Sequence, residues 1–93
     1  MPVRFYLASY LRPFAGGHAE VWIPSAPATV AAALEELGKI HPGIRDRVLT
    51  ERGELRLHVN VFVGPESVRF AAGLQTAVPA DCEISILPAV SGG

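Results

Sequence analysis

Few residues in this sequence have chemistry to offer. They are His18, His41 and His58, the single cysteine Cys82, and a closing Gly92-Gly93 whose carboxylate has no bulky side chain near it. The three histidines are far apart and show none of the spacings by which a chain wraps a metal ion, so no metal site is expected. No serine, histidine and acid stand in an elbow or loop motif, and no pair of acid–base groups is evident, so no catalytic residue is assigned. Gly16-Gly17 lacks the lysine and the strand-to-helix context of a phosphate loop. Cys82 sits between Asp81 and Glu83, whose negative charges disfavour the thiolate that persulfide chemistry requires, and it is expected to be inert. As the only cysteine it leaves no intramolecular disulfide and no cysteine-built metal cluster.

The tail, Pro88-Ala89-Val90-Ser91-Gly92-Gly93, is different in kind. A carboxylate is unreactive until one of its oxygens becomes a leaving group, and an enzyme that adenylates it must draw the terminus into a narrow nucleotide site. Glycine has no Cβ and accepts any φ, so the backbone of Gly92 and Gly93 can approach a nucleotide closely. Pro88 restricts the base of the tail. A terminal Gly-Gly alone can also be a frayed end; what it follows decides its weight. Taken as a complete chain, the sequence ends on this pair with nothing to be cleaved after it.

Composition narrows the setting. The 93 residues, with 49% hydrophobic content, suit one domain, expected over residues 1–88, with 89–93 as a flexible tail. A formal net charge of −1 and the lack of any Lys/Arg run argue against nucleic acid as a partner. Lys39 is the only lysine, which limits isopeptide chains built on this protein to one side chain. No apolar run is long enough to cross a membrane and the N-terminus lacks a signal-peptide pattern, so a cytoplasmic location is expected.

Periodicity supplies the elements that must hold the tail. Residues 3–8 alternate, with Val3, Phe5 and Leu7 on one face, and predict a strand. Arg12 to Gly17 reads as a turn, followed by a return strand from His18 to Ile23 that Pro24 ends. Val30, Ala33, Leu34, Leu37 and Ile40 share one side of an amphipathic helix over 28–40, about three turns long; Ile44 to Leu49 predicts a further helical turn. Leu55 to Val63 is the clearest strand, with aliphatic residues at every odd position. Ser67 to Phe70 predicts a brief edge strand, Gly73 to Thr76 a tight turn or 3₁₀ segment, and Glu83 to Leu87 the last strand. The order of elements predicts an α+β fold, a mixed four- to five-stranded sheet with one main helix on one face, which is the β-grasp or ubiquitin-like plan. Its first and last strands lie side by side in parallel, so the tail projects from the end of a sheet strand.

On these residues the chain resembles the small sulfur carriers, a family that includes the molybdopterin synthase small subunit and the carriers of thiamine and cysteine biosynthesis. The resemblance rests on Leu87 to Gly93, Val68 to Thr76, Val59 to Val63, and Leu11-Arg12-Pro13 followed by Gly16-Gly17; the first two segments look most like the cysteine-biosynthesis branch. Where the family often has Asp-Gly-Asp, this chain has Ala80-Asp81-Cys82, and Asp tolerates the left-handed conformation such a turn uses. The resemblance implies that an E1-like adenylyltransferase activates Gly93 with ATP and that a sulfur donor converts the acyl-adenylate to a thiocarboxylate. A sulfur-acceptor enzyme would then use it, either cysteine synthase-like or the molybdopterin synthase large subunit. The carrier would be substrate and reagent rather than enzyme, with no cofactor bound.

A tail of so few residues cannot select its partners, so docking needs a surface. By alternation, Tyr6, Phe62 and Leu87 face away from the helix with Arg4, Arg56, His58 and Asn60 around them, an apolar centre with a polar rim. Trp22 is read as hairpin packing, with a rim contact of this patch as the alternative. Two other functions share the same sequence: a modifier joined to lysines through Gly93, and a β-grasp interaction module whose tail does no chemistry.

Overall fold

The computed structural model describes residues 3–24, 27–79 and 81–89. Its strands are β1 (Val3–Leu7), β2 (Glu20–Ile23), β3 (Val59–Val63), β4 (Glu66–Ser67) and β5 (Glu83–Pro88), and its helices are α1 (Val30–Ile40) and α2 (Pro42–Val48). The five strands form one sheet in the order β2-β1-β5-β3-β4. β1 and β5 pair in parallel, Phe5 opposite Ile84 and Leu7 opposite Ile86. The flanking pairs β1–β2 and β3–β5 are antiparallel. This is the β-grasp plan, with the last strand in the middle of the sheet.

One face of that sheet makes the core. Val3, Phe5, Leu7, Val21, Ile23, Val59, Val61, Ile84 and Ile86 are all buried, together with Val30, Ala33, Leu34 and Leu37 of α1 and Ile44 and Val48 of α2. Burial of side chains this size stabilises by about 1.5–3 kcal/mol each before the entropy of ordering them is counted. The alternation in β1 and β3 therefore appears directly as alternating burial. Thr29 caps α1, its Oγ1 accepting from the Ala32 amide at 3.2 Å. α2 follows at once, with Pro42 at its start, where a missing N–H costs nothing.

Several elements differ from the sequence expectation, each for a physical reason. Residues Ser9–Ala15 are a 3₁₀ helix that buries Leu11 and Ala15, so β1 and β2 are joined by an ordered connection and not by a tight turn. The reversal itself falls on Gly16 and Gly17, at φ +65° and +86°, which only glycine adopts readily. The return strand starts at Glu20 instead of His18. The main helix starts at Val30, and Ile40, placed on its core stripe by spacing, is exposed at the last turn. The strand expected over 55–63 begins only at Val59. Leu57 is 88% exposed there, against the expectation that every odd position is core, because β5 offers no ladder partner beyond Pro88 opposite Val59. The edge strand near Ser67 shrinks to Glu66–Ser67 and gives way to a 3₁₀ turn over Val68–Phe70. Gly73–Gln75 is 3₁₀ as expected.

Candidate functional site

Strand β5 determines where the tail leaves the molecule. It is hydrogen-bonded on both sides, to β1 and β3, so its end cannot swing independently of the sheet. One residue further on, the Ala89 amide donates to the His58 carbonyl at 2.9 Å, which extends the attachment beyond Pro88. Ala89, expected to be tail, is thus held by the sheet. The other tail residues of interest, Val90, Ser91, Gly92 and Gly93, lie outside the described residues.

Around this exit the chain gathers three groups of side chains. The outer face of the sheet carries Tyr6 and Leu87 on neighbouring strands and Phe62 on the next, arranged about Ser85: Tyr6 and Phe62 both lie opposite Ser85, and Leu87 lies opposite Asn60. All three of these apolar side chains are half-buried. Arg12 rests against Tyr6, donating from Nη2 to the hydroxyl at 3.2 Å and from Nε to the Leu7 carbonyl at 3.1 Å. Farther from the exit, Arg4 pairs with Glu83 at 2.6 Å and Glu20 at 3.5 Å and lies over the exposed Trp22 ring. Trp22 therefore belongs to the surface of this face; it is not hairpin packing.

Arg56 is not on that face. Its Nε donates to the Asp46 carbonyl at 3.0 Å, and it lines an open groove with Tyr10, Phe14, Asp46, Arg47 and His58. Arg47 stacks on the Phe14 ring at 3.9 Å from its centroid, a contact that helps hold the guanidinium in place. Among the described residues neither Arg47 nor Arg56 has an acidic partner within salt-bridge distance. The structure thus brings Tyr6, Phe62 and Leu87 together and sets Arg56 apart, beyond His58, in the groove between α2 and the approach to β3.

Two features near the exit were missed by alternation. Leu57 and Phe70 are each 88% exposed, and Arg69 lies beside them with its Nη2 against the carbonyls of Arg56, Leu57 and Val59. Val68-Arg69-Phe70 falls in the expected edge strand and in one of the segments that carry the resemblance, and a strand reading gives no reason for an arginine to reach across to another segment's backbone.

At the far end of β5, Asp81 adopts φ +62°, the left-handed conformation expected of the turn there. Cys82 beside it is half-buried, and burial pushes its thiol above its ordinary pKa. Glu83 is paired with Arg4, so its charge is largely compensated, and desolvation keeps the thiol protonated. Among the described residues no cluster of His, Cys, Asp or Glu is placed to hold a metal ion, and no helix is long and apolar enough to cross a membrane.

The model of the ThiS family matches residues 6–93, nearly the whole chain. The chain belongs to the ThiS family. Its relatives include the sulfur carrier protein CysO of Mycobacterium tuberculosis, 36% identical over 95 aligned positions that cover all of both chains. Among solved structures, this ThiS-family chain is similar to the crystal structure of the Amycolatopsis orientalis BexX/CysO complex, with a TM-score of 0.85 and 35% identity over 98% of this chain and 99% of that one. It is also similar to SAMP1 from Haloferax volcanii, with a TM-score of 0.80 and 34% identity over the full length of both.

Proposed function

We propose that the protein is a sulfur carrier whose reacting group is the carboxylate of Gly93. The observation that carries this reading is the end-to-end match with CysO, a named sulfur carrier, on a fold whose central strand leads directly into the Gly-Gly tail. An E1-like adenylyltransferase binds ATP and brings its α-phosphate to the Gly93 carboxylate. A Gly93 oxygen attacks the α-phosphorus, pyrophosphate leaves, and the acyl carbon becomes electrophilic because AMP is a good leaving group. Sulfide, free or delivered by a donor protein, adds to that carbon and expels AMP, leaving a thiocarboxylate with no change in oxidation state. The thiocarboxylate is ionised at neutral pH and nucleophilic at sulfur, so an acceptor enzyme can take sulfur from it. A cysteine synthase-like acceptor fits the CysO likeness best, and the molybdopterin synthase large subunit is the other acceptor class. The protein is a reagent for these enzymes rather than a catalyst, and Tyr6, Phe62 and Leu87 form the face on which they dock, with Arg56 contacting them from the neighbouring groove.

The experiment is intact mass after incubation with the activating enzyme of the same organism, ATP and sulfide. The mass should change by one oxygen-for-sulfur exchange at Gly93, and Gly93→Ala should abolish the exchange while leaving the fold intact. An unchanged mass for the wild-type chain, in an assay where a known carrier reacts, would sink the reading. A second reading, a modifier attached to lysines, is favoured by the likeness to the small archaeal modifier proteins, of which one is 30% identical over all of this chain. Adding lysine-bearing acceptor proteins to the same reaction separates the two: a carrier accumulates thiocarboxylate, and a modifier accumulates isopeptide-linked product.

A further inference from the structure

We infer that Arg69 is a positioning residue for the tail. The inference rests on the sulfur-carrier reading and adds to it the device that sets the direction in which Pro88 and Ala89 leave the sheet.

The geometry runs through one short segment. The approach to β3 over residues 56–58 lies outside the strand, yet both of its edges are engaged. On one edge, Arg69 Nη2 lies 2.9 Å from the Arg56 carbonyl, 3.4 Å from that of Leu57 and 2.6 Å from that of Val59. On the other, the His58 carbonyl accepts the Ala89 amide at 2.9 Å. Residues 57 and 58 form a turn closed by the Val59 amide donating to the Arg56 carbonyl at 3.1 Å, so one guanidinium and one tail amide hold the same turn. β4 cannot do this work, because it pairs only with Phe62 and Val63 at the far end of β3. Where a further strand would have closed the edge, a single side chain closes it.

The chemistry suits the task. All three contacts come from Nη2, whose two N–H groups reach the Val59 and Arg56 carbonyls with the Leu57 carbonyl as a longer third contact, and the guanidinium carries its charge at any working pH, so it serves them without titrating. Among the described residues Arg69 has no acidic partner, and its recorded side-chain bonds all go to backbone oxygens. It is largely exposed, so the core does not depend on it. Without it, the Leu57 and Val59 carbonyls lose this donor and the Arg56 carbonyl keeps only the Val59 amide, so the 56–59 segment loosens, and the acceptor that fixes Ala89 loosens with it. The terminus would then spend less time directed at a nucleotide site, while the docking face, built on the strands, would stay as it is.

Two variants and two measurements test this. In Arg69→Ala, hydrogen exchange at the Ala89 amide should speed up about tenfold or more, with Ile86 in the middle of β5 unchanged, because only the local opening is easier. With the activating enzyme, ATP and sulfide, kcat for thiocarboxylate formation should fall about tenfold while KM for the carrier stays within about twofold, since misaim costs the reacting geometry and not the docking. Arg69→Lys, which keeps the charge and fewer donors, should fall between wild type and Arg69→Ala in both measurements, and it carries the test alone if Arg69→Ala does not fold. Thr29→Ala, a change at the start of α1, serves as the control for general destabilisation. Unchanged Ala89 exchange, an unchanged kcat, a loss confined to KM, or an equal kcat loss in Thr29→Ala would overturn the inference. If the wild-type chain forms no thiocarboxylate, the sulfur-carrier reading is what fails, and Ala89 exchange still decides whether Arg69 fixes the root of the tail.

Discussion

Single residues here are decided by their surroundings more than by their neighbours in sequence. Cys82 shows this. Asp81 and Glu83 beside it suggested that nearby negative charge would keep the thiol protonated; Glu83 is spent on Arg4, and burial raises the thiol instead. Alkylation by iodoacetamide should therefore follow pH with a midpoint above that of the same chain in urea, because unfolding rehydrates the sulfur and lets the thiolate form sooner. Equal midpoints in the two states would mean that Cys82 is solvated in the fold. Asp81 was legible in advance, since few non-glycine side chains tolerate φ +62° and Asp is among them. Arg69 was not: nothing in the letters Val68-Arg69-Phe70 says that a guanidinium will serve carbonyls of a segment ten to thirteen positions away.

Elements were legible wherever one face is core over the whole element. β1, the body of α1 and β5 follow their hydrophobic periods because a single buried side dictates them. The failures lie at ends. Leu55 and Leu57 continue the alternation of β3, but a strand exists only where another strand bonds to it, and the length of that partner is set elsewhere in the chain. The 3₁₀ segment Ser9–Ala15 had no period to reveal it, and Pro13 within it suggested a turn. Capping was there to be read in Thr29, and it has a measurable value. Thr29→Ala should lower stability by about 1 kcal/mol in urea denaturation, through loss of the bond to the Ala32 amide. A change near zero would show that water replaces the hydroxyl at no cost.

At the scale of the molecule, the strand order and the parallel pairing of first and last strands were foreseeable, and so was the face left uncovered by the helices. Alternation grouped Arg56 with that face because it treated residues 55–63 as one strand; the bend before Val59 sends Arg56 toward α2. The two surfaces are separable by mutation. Phe62→Arg places a charge at the centre of the Tyr6, Phe62 and Leu87 group, where docking would desolvate it, and should weaken binding to the activating enzyme by about 2 kcal/mol or more. Titration calorimetry checks it, with circular dichroism to confirm an intact fold. Undiminished affinity would move the docking surface elsewhere, with the Arg47 and Arg56 groove as the next place to look.

The central place of β5 also bears on how the protein comes into being. β1 and β2 can pair early, as can β3 and β4, but these two hairpins share no ladder; each is joined to the other only through β5. Contacts so distant along the chain are slow to form, because loop closure must precede them. A ribosome must therefore have made almost the entire polypeptide before the sheet can close. The strand that completes the fold is the one that leads to the terminus proposed to react, so a chain cut short before β5 lacks both that terminus and the folded surface by which a partner would know it.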